Sequence, residues 1–144
     1  MEDRFLFRGK RIDTGEWVEG YLSYPFCTEK GNESYYFYAK DSLGFFCRCV
    51  VDASTICQCT GLKDKNGRLI WENDILMCHD NPEDLVKAVY GEFNIINVET
   101  LSTVDRVIGW HYEVIQTDEL SKCEPFCLLK VVGNIFDNPE LLEV

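Results

Sequence analysis

The chain has 144 residues, 46% of them hydrophobic and 13% aromatic, which suits a single domain over residues 1–144 and excludes a disordered chain. Its formal net charge of -11 is unevenly spread: residues 1–75 carry 10 Lys/Arg against 12 Asp/Glu, and residues 76–144 carry 4 against 13. The acidic second half repels a phosphate backbone, so direct nucleic-acid binding is disfavoured; a local basic run (Arg4, Arg8, Lys10, Arg11) and mimicry of nucleic acid by the acidic surface stay open.

In chain order, strand-like runs follow one another between turn residues, and no window of helical length keeps a 3.6 period. Phe5–Phe7 is the first strand, Asp13-Thr14-Gly15 a turn, and Glu16–Tyr24 the second strand, which Pro25 is expected to end. Tyr35–Tyr38 and Phe45–Val51 follow, both rich in aromatic or β-branched residues. Asn66-Gly67, set between apolar runs, predicts a hairpin closed by a type I′ turn, with positive φ at both residues. Asn73 marks a second tight turn into Ile75–Cys78, since Asn tolerates positive φ. Asp80–Asp84 reads as a polar loop. Leu85–Tyr90, Phe93–Val98 and Ile108–Ile115 read as three further strands, and Thr117–Lys122 as a turn of helix. Phe126–Val132 suits a strand buried on both faces, interrupted at Gly133-Asn134, and Asn138-Pro139 opens a short C-terminal helix with Asn138 as its cap.

The start, Met1-Glu2-Asp3-Arg4-Phe5, lacks the basic flank and apolar run of a secretory signal, and no stretch of about 18 apolar residues occurs. A cytoplasmic protein with mostly reduced cysteines is therefore expected, with no membrane association.

The eight cysteines include Cys47-Arg48-Cys49 and Cys57-Gln58-Cys59. Residues i and i+2 of a strand share a face, so a hairpin pairing Cys49 with Cys57 and Cys47 with Cys59 would gather four sulfurs as a zinc site or as cross-strand disulfides. Structural zinc sites draw instead on Cys-x(2–4)-Cys turns, and a thiol packs well as a small hydrophobe, so burial in the core is the preferred reading. Pro125 rules out a regular helical pair for Cys123 and Cys127. Cys78-His79-Asp80 places three ligand types in succession, but neighbouring strand residues face opposite ways. No nucleophile elbow or phosphate loop occurs, and no cofactor or enzymatic activity is expected. Asp64, Glu72 and Asp74 crowd the hairpin. Turn chemistry explains them better than acid–base work: Asp64 caps a turn, and Asp74 accepts backbone N–H groups where the next strand starts. In Tyr35-Tyr36-Phe37-Tyr38 alternate residues face opposite sides, which makes Tyr35, Tyr36 and Tyr38 interface candidates.

Three segments carry a resemblance: Phe7-Arg8-Gly9-Lys10 through Trp17-Val18-Glu19-Gly20-Tyr21-Leu22; Val51-Asp52 through Thr60-Gly61-Leu62-Lys63-Asp64-Lys65-Asn66-Gly67 to Glu72-Asn73-Asp74-Ile75; and Val132-Gly133-Asn134-Ile135-Phe136-Asp137-Asn138-Pro139-Glu140-Leu141-Leu142. In order and spacing they resemble the YopX-like family, small proteins of bacteriophages and prophages. The family pattern has Gly at the place of Asn73, a small residue at Cys57 and an aromatic at Cys59. The resemblance implies a mainly-β (β-rich α+β) fold with an SH3-like barrel or roll and a short C-terminal helix. It implies an accessory protein in the bacterial host cytoplasm, without an assigned biochemical role. Together with the residues it favours a non-enzymatic interaction module whose partner is another protein or a second copy.

Overall fold

A computed structural model describes residues 5–29, 32–40, 46–97, 99–117 and 124–143. The chain is mainly β and antiparallel, and it divides into two compact units, Met1–Gly61 and Leu62–Val144.

The first unit contains β1 (Phe7–Lys10), β2 (Trp17–Glu29), β3 (Asn32–Lys40), β4 (Phe46–Val51) and the start of β5 (Cys57–Lys63). They lie side by side in the order β4-β3-β2-β1-β5. Pro25 does not end β2 as the sequence suggests. β1 covers β2 only along Trp17–Gly20, so no N–H of residue 25 is needed to donate to β1, and the register shifts between Leu22 and Pro25. Among the described residues of this unit Phe37, Cys49, Val51, Cys57 and Cys59 are buried, three of them thiols that pack as small hydrophobes.

At the far end of β1 the chain returns to β4. Arg11 bridges Val51, the Ile12 N–H donates to the Val50 carbonyl at 3.2 Å, and the Asp52 N–H donates to the Lys10 carbonyl at 2.8 Å. Asp52 also caps a 3₁₀ turn, Ala53–Thr55, through Ser54. Thr55 is buried and its hydroxyl accepts from the Lys10 N–H.

The second unit holds the end of β5, β6 (Leu69–Trp71), β7 (Asp74–Met77), β8 (Leu85–Ile96), β9 (Thr103–Gln116) and β10 (Lys130–Asn134). Its four-stranded sheet runs β10-β7-β8-β9. Ile70, Leu76, Cys78, Val86, Ala88, Leu129 and Val131 form the core, with Tyr112 and Phe126 packed against it. Gly91 does not divide β8, which continues opposite β9 with Gly91 facing Gly109.

The run from Phe126 is not one buried strand. After Pro125 it forms a 3₁₀ turn, Phe126–Leu128, with Leu128 exposed, and only then enters β10, where the register shifts between Val131 and Gly133. The C-terminal helix is a single 3₁₀ turn, Pro139–Leu142. Asn138 does not cap it; its side-chain oxygen turns back to accept from the Asn134 N–H. The helical turn expected at Thr117–Lys122 falls almost wholly outside the described residues.

Candidate functional site

Two of the three hairpin carboxylates, Asp64 and Asp74, are committed to backbone donors. Asp64 is 5% exposed; one oxygen accepts from the Asn66 and Arg68 N–H groups at 2.9 Å each, and the other from the Val131 N–H at 3.0 Å. Burial raises its pKa, but the Val131, Arg68 and Asn66 donors and the Arg68 charge outweigh that, so the carboxyl lies below its ordinary value of 3.8.

The turn that Asp64 holds is not type I′. Only Gly67 has positive φ (78°); the Gly67 N–H donates to the Asp64 carbonyl and the Asp64 N–H to the Arg68 carbonyl. This is a three-residue loop, a type I turn followed by a left-handed glycine. Asn73 has φ 68°, and the buried Asp74 carboxylate accepts from the Trp71 N–H at 2.8 Å.

The four cysteines do not meet on one hairpin. β4 pairs with β3, setting Cys49 opposite Phe37 and Cys47 opposite Ala39, while β5 pairs with β1, setting Cys57 opposite Arg8. The link between β4 and β5 is the capped 3₁₀ turn, which sends the chain to a different neighbour. The side chain of Cys47 and all of Cys123 lie outside the described residues. The Cys57 thiol donates to the Thr55 carbonyl at 3.3 Å. Among the described residues no group of three or more His, Cys, Asp or Glu side chains is placed to hold a metal ion.

Tyr38 is 46% exposed and pairs across strands with the exposed Tyr21; the side chains of Tyr35 and Tyr36 lie outside the described residues. Of the basic run, Arg4 lies outside the described residues and the other three are occupied. Arg8 is buried with its guanidinium 4.7 Å from the Trp17 ring centre, Lys10 also faces that ring, and Arg11 makes two hydrogen bonds to Asp13.

The polar cluster that sequence reasoning missed centres on His79. In the loop between β7 and β8, His79 (φ 55°) and Asp80 (φ 52°) are both left-handed, a costly pair that local hydrogen bonds hold in place. The Cys78 N–H donates to the Asp84 carbonyl and the Asn81 N–H to the Cys78 carbonyl. Asp84, 2% exposed, lies 3.1 Å from His79 Nδ1 and accepts from the Thr117 hydroxyl at 2.8 Å. Glu124 accepts from the His79 backbone N–H at 2.6 Å and lies 3.6 Å from Nε2, and its own carbonyl accepts from the Tyr112 hydroxyl. An Asp–His couple resembles a general-base pair, but the second ring nitrogen here faces a carboxylate rather than a nucleophile. The arrangement anchors the loop. Replacing Asp84 with Ala is expected to cost about 1–2 kcal/mol, because it removes the buried acceptor that holds the His79 ring and the Thr117 hydroxyl, the latter being exposed and able to turn to water. A correspondingly lower melting temperature in calorimetry checks it.

Among the described residues the longest run of strand pairing is the β8–β9 ribbon. β7 pairs with β8 only along Leu85–Lys87, while β8 and β9 stay paired out to Ile96 and Thr103. Beyond Ala88 two strands run on with Tyr90 (56% exposed), Ile95, Val104 and Ile108 (71%) uncovered. At the tip, Asn97 accepts from the Glu99 and Thr100 N–H groups, and Leu101 is 76% exposed with φ 58°. Alternation in Phe93–Val98 and Ile108–Ile115 marks strands, but nothing local tells that they leave the sheet.

No helix among the described residues is long and apolar enough to cross a membrane. No curated protein matches the chain. The model of the family described as YopX protein matches residues 6–143. That match takes in the β1–β2 hairpin, the Asp64 and Asn73 turns and the Gly133–Pro139 segment together, and the chain belongs to the YopX family.

Proposed function

We propose that the protein is a non-enzymatic accessory protein of phage or prophage origin. In this reading it acts in the bacterial cytoplasm by docking a protein, a second copy included, on its β8–β9 ribbon. The observation that carries this is the ribbon itself. An isolated two-stranded hairpin is marginal in water, yet this one holds apolar side chains outward along its length and a bulky leucine in a strained conformation at its tip. Asp64 and Asp74, two of the three residues that suggested acid–base work with Glu72, are bound to backbone N–H groups, which supports binding over catalysis. For the first unit we propose the SH3-like roll, on the strength of the contact between the end of β1 and β4.

The test is a pull-down from infected or lysogenic cells. The intact protein is expected to recover a protein partner, and the combined Tyr90→Ser and Leu101→Ser variant to recover it at least about fivefold less, with an unchanged far-UV spectrum. Equal recovery by the variant sinks the ribbon as the docking surface.

A further inference from the structure

β9 ends its sheet, and every second residue along its outer side turns an N–H and a C=O away from β8. Natural edge strands are usually kept short, bulged or interrupted by proline. β9 spans Thr103–Gln116 and has no proline, and its two bulges, at Val104 and Ile115, lie near its ends, leaving Asp105–Val114 in regular register. The question is what chemistry this edge accepts.

Two copies of β9 can meet antiparallel across a two-fold axis perpendicular to the sheet, which keeps equivalent faces on the same side. Opposed residues then have the same parity, so only a few registers exist. Centred on Ile108, the pairing sets Ile108 against itself, Asp105 against His111 of the second copy, Arg106 against its Trp110, Val104 against its Tyr112 and Val107 against its Gly109. Acid faces imidazole, guanidinium faces indole, and no like charges oppose. Moving the centre to Gly109 opposes Asp105 to Glu113, which repel. Moving it to Val107 opposes Arg106 to Ile108 and shortens the pairing.

The groups involved are in reach. Arg106 is exposed, with only a 3.7 Å exposed pairing to Glu92, so its fork keeps donors for other acceptors. Trp110 is half-buried with its ring edge-on to Tyr90 at 5.1 Å, and His111 stacks near Phe93 at 4.6 Å, so both rings are already oriented by neighbours on β8. Val104 and Ile108 are among the most exposed large apolar side chains.

We infer that β9 is a homodimerisation edge, paired antiparallel with a second copy in the register centred on Ile108. This rests on the reading of the β8–β9 ribbon as a docking surface and names its occupant. The strip is about 37 Å long and about 10 Å thick, smaller than the roughly 800 Å² per partner of a standard interface, so the self-association is of the weak, concentration-dependent class.

Sedimentation velocity of the full chain across the micromolar range is expected to show a concentration-dependent dimer, and Arg106→Glu to weaken it by about tenfold or more. Register is read by thiol trapping in a Cys127→Ser background. Only residue 108 faces itself, so under mild oxidation Ile108→Cys is expected to give a covalent dimer above the parent level and Val104→Cys none. A monomer at every concentration, a dimer indifferent to Arg106→Glu, or equal trapping at 104 and 108 overturns the inference. The two readings separate cleanly. If the chain is monomeric but the Tyr90→Ser and Leu101→Ser variant still loses a captured protein, the ribbon remains a docking surface and the second copy is not its occupant.

Discussion

Asp64→Ala is expected to be among the most destabilising single changes, at about 3–4 kcal/mol, read as a lower denaturant midpoint at unchanged slope. The carboxylate accepts three backbone N–H groups, and charge-assisted bonds of this kind are worth roughly 1.5–3 kcal/mol each. The Asn66 and Arg68 donors lie in a surface loop and can turn to water. The Val131 donor, on β10, is in a buried contact and cannot, so the loss is concentrated there. Asp64→Asn is nearly as damaging. If its oxygen keeps the loop donors, its NH₂ confronts the Val131 N–H, donor against donor.

The pH dependence follows from the direction of the shift. The folded-state pKa of Asp64 is lowered, so its contribution is complete above the unfolded value near 3.8 and disappears as pH falls through the lower folded value. Stability curves of the parent and of Asp64→Ala are therefore expected to stand apart at neutral pH and converge in the acid range below about pH 4. Parallel curves down to the acid limit would show that the carboxylate charge is not what holds the loop. Asp13 and Asp80 are also lowered, through hydrogen bonds from Arg11 and Lys65, but both are solvent-exposed and contribute no comparable step.

The same carboxylate explains where sequence reading succeeds and fails. Asn66-Gly67 locates the hairpin, because a left-handed residue is needed there, yet it does not fix the turn type. A type I turn wins over type I′ once Asp64 can bind the N–H groups of Asn66 and Arg68 across the loop. Pro25 reads as a stop because the sequence does not reveal that its neighbour on one side has already ended. The short interval between Cys49 and Cys57 reads as a hairpin turn, whereas Asp52, Ser54 and Thr55 fold it into a capped 3₁₀ turn that separates the two strands. Spacing holds least information about His79, Asp84 and Glu124. Glu124 lies 45 residues from His79, and only tertiary packing joins them.

Gly133→Ala carries the other large expected effect, about 2–3 kcal/mol, and it bears on what the C-terminal motif is for. A methyl group at this position would lie 2.3 Å from Asn138 Oδ1, 2.7 Å from its Cγ and 3.1 Å from its Cβ. Asn138 cannot swing aside freely. Its oxygen accepts from the Asn134 N–H, its own N–H donates to the Asn134 carbonyl, and the Asn134 side-chain oxygen in turn accepts from Phe136 and Asp137. Moving one side chain therefore loosens the whole turn that closes β10. Truncating the obstacle tests this directly. Asn138→Ala alone sacrifices one hydrogen bond and costs about 1 kcal/mol, and the double variant is expected to cost at least about 1 kcal/mol less than the sum of the singles. Additive costs would mean that the clash with Asn138 is not what makes the methyl group costly. Coupling would place Gly133 and Asn138 together as one packing device, and the Gly-Asn-Ile-Phe-Asp-Asn-Pro segment would then be a clasp for the last strand, leaving recognition to the ribbon on the far side of the sheet order.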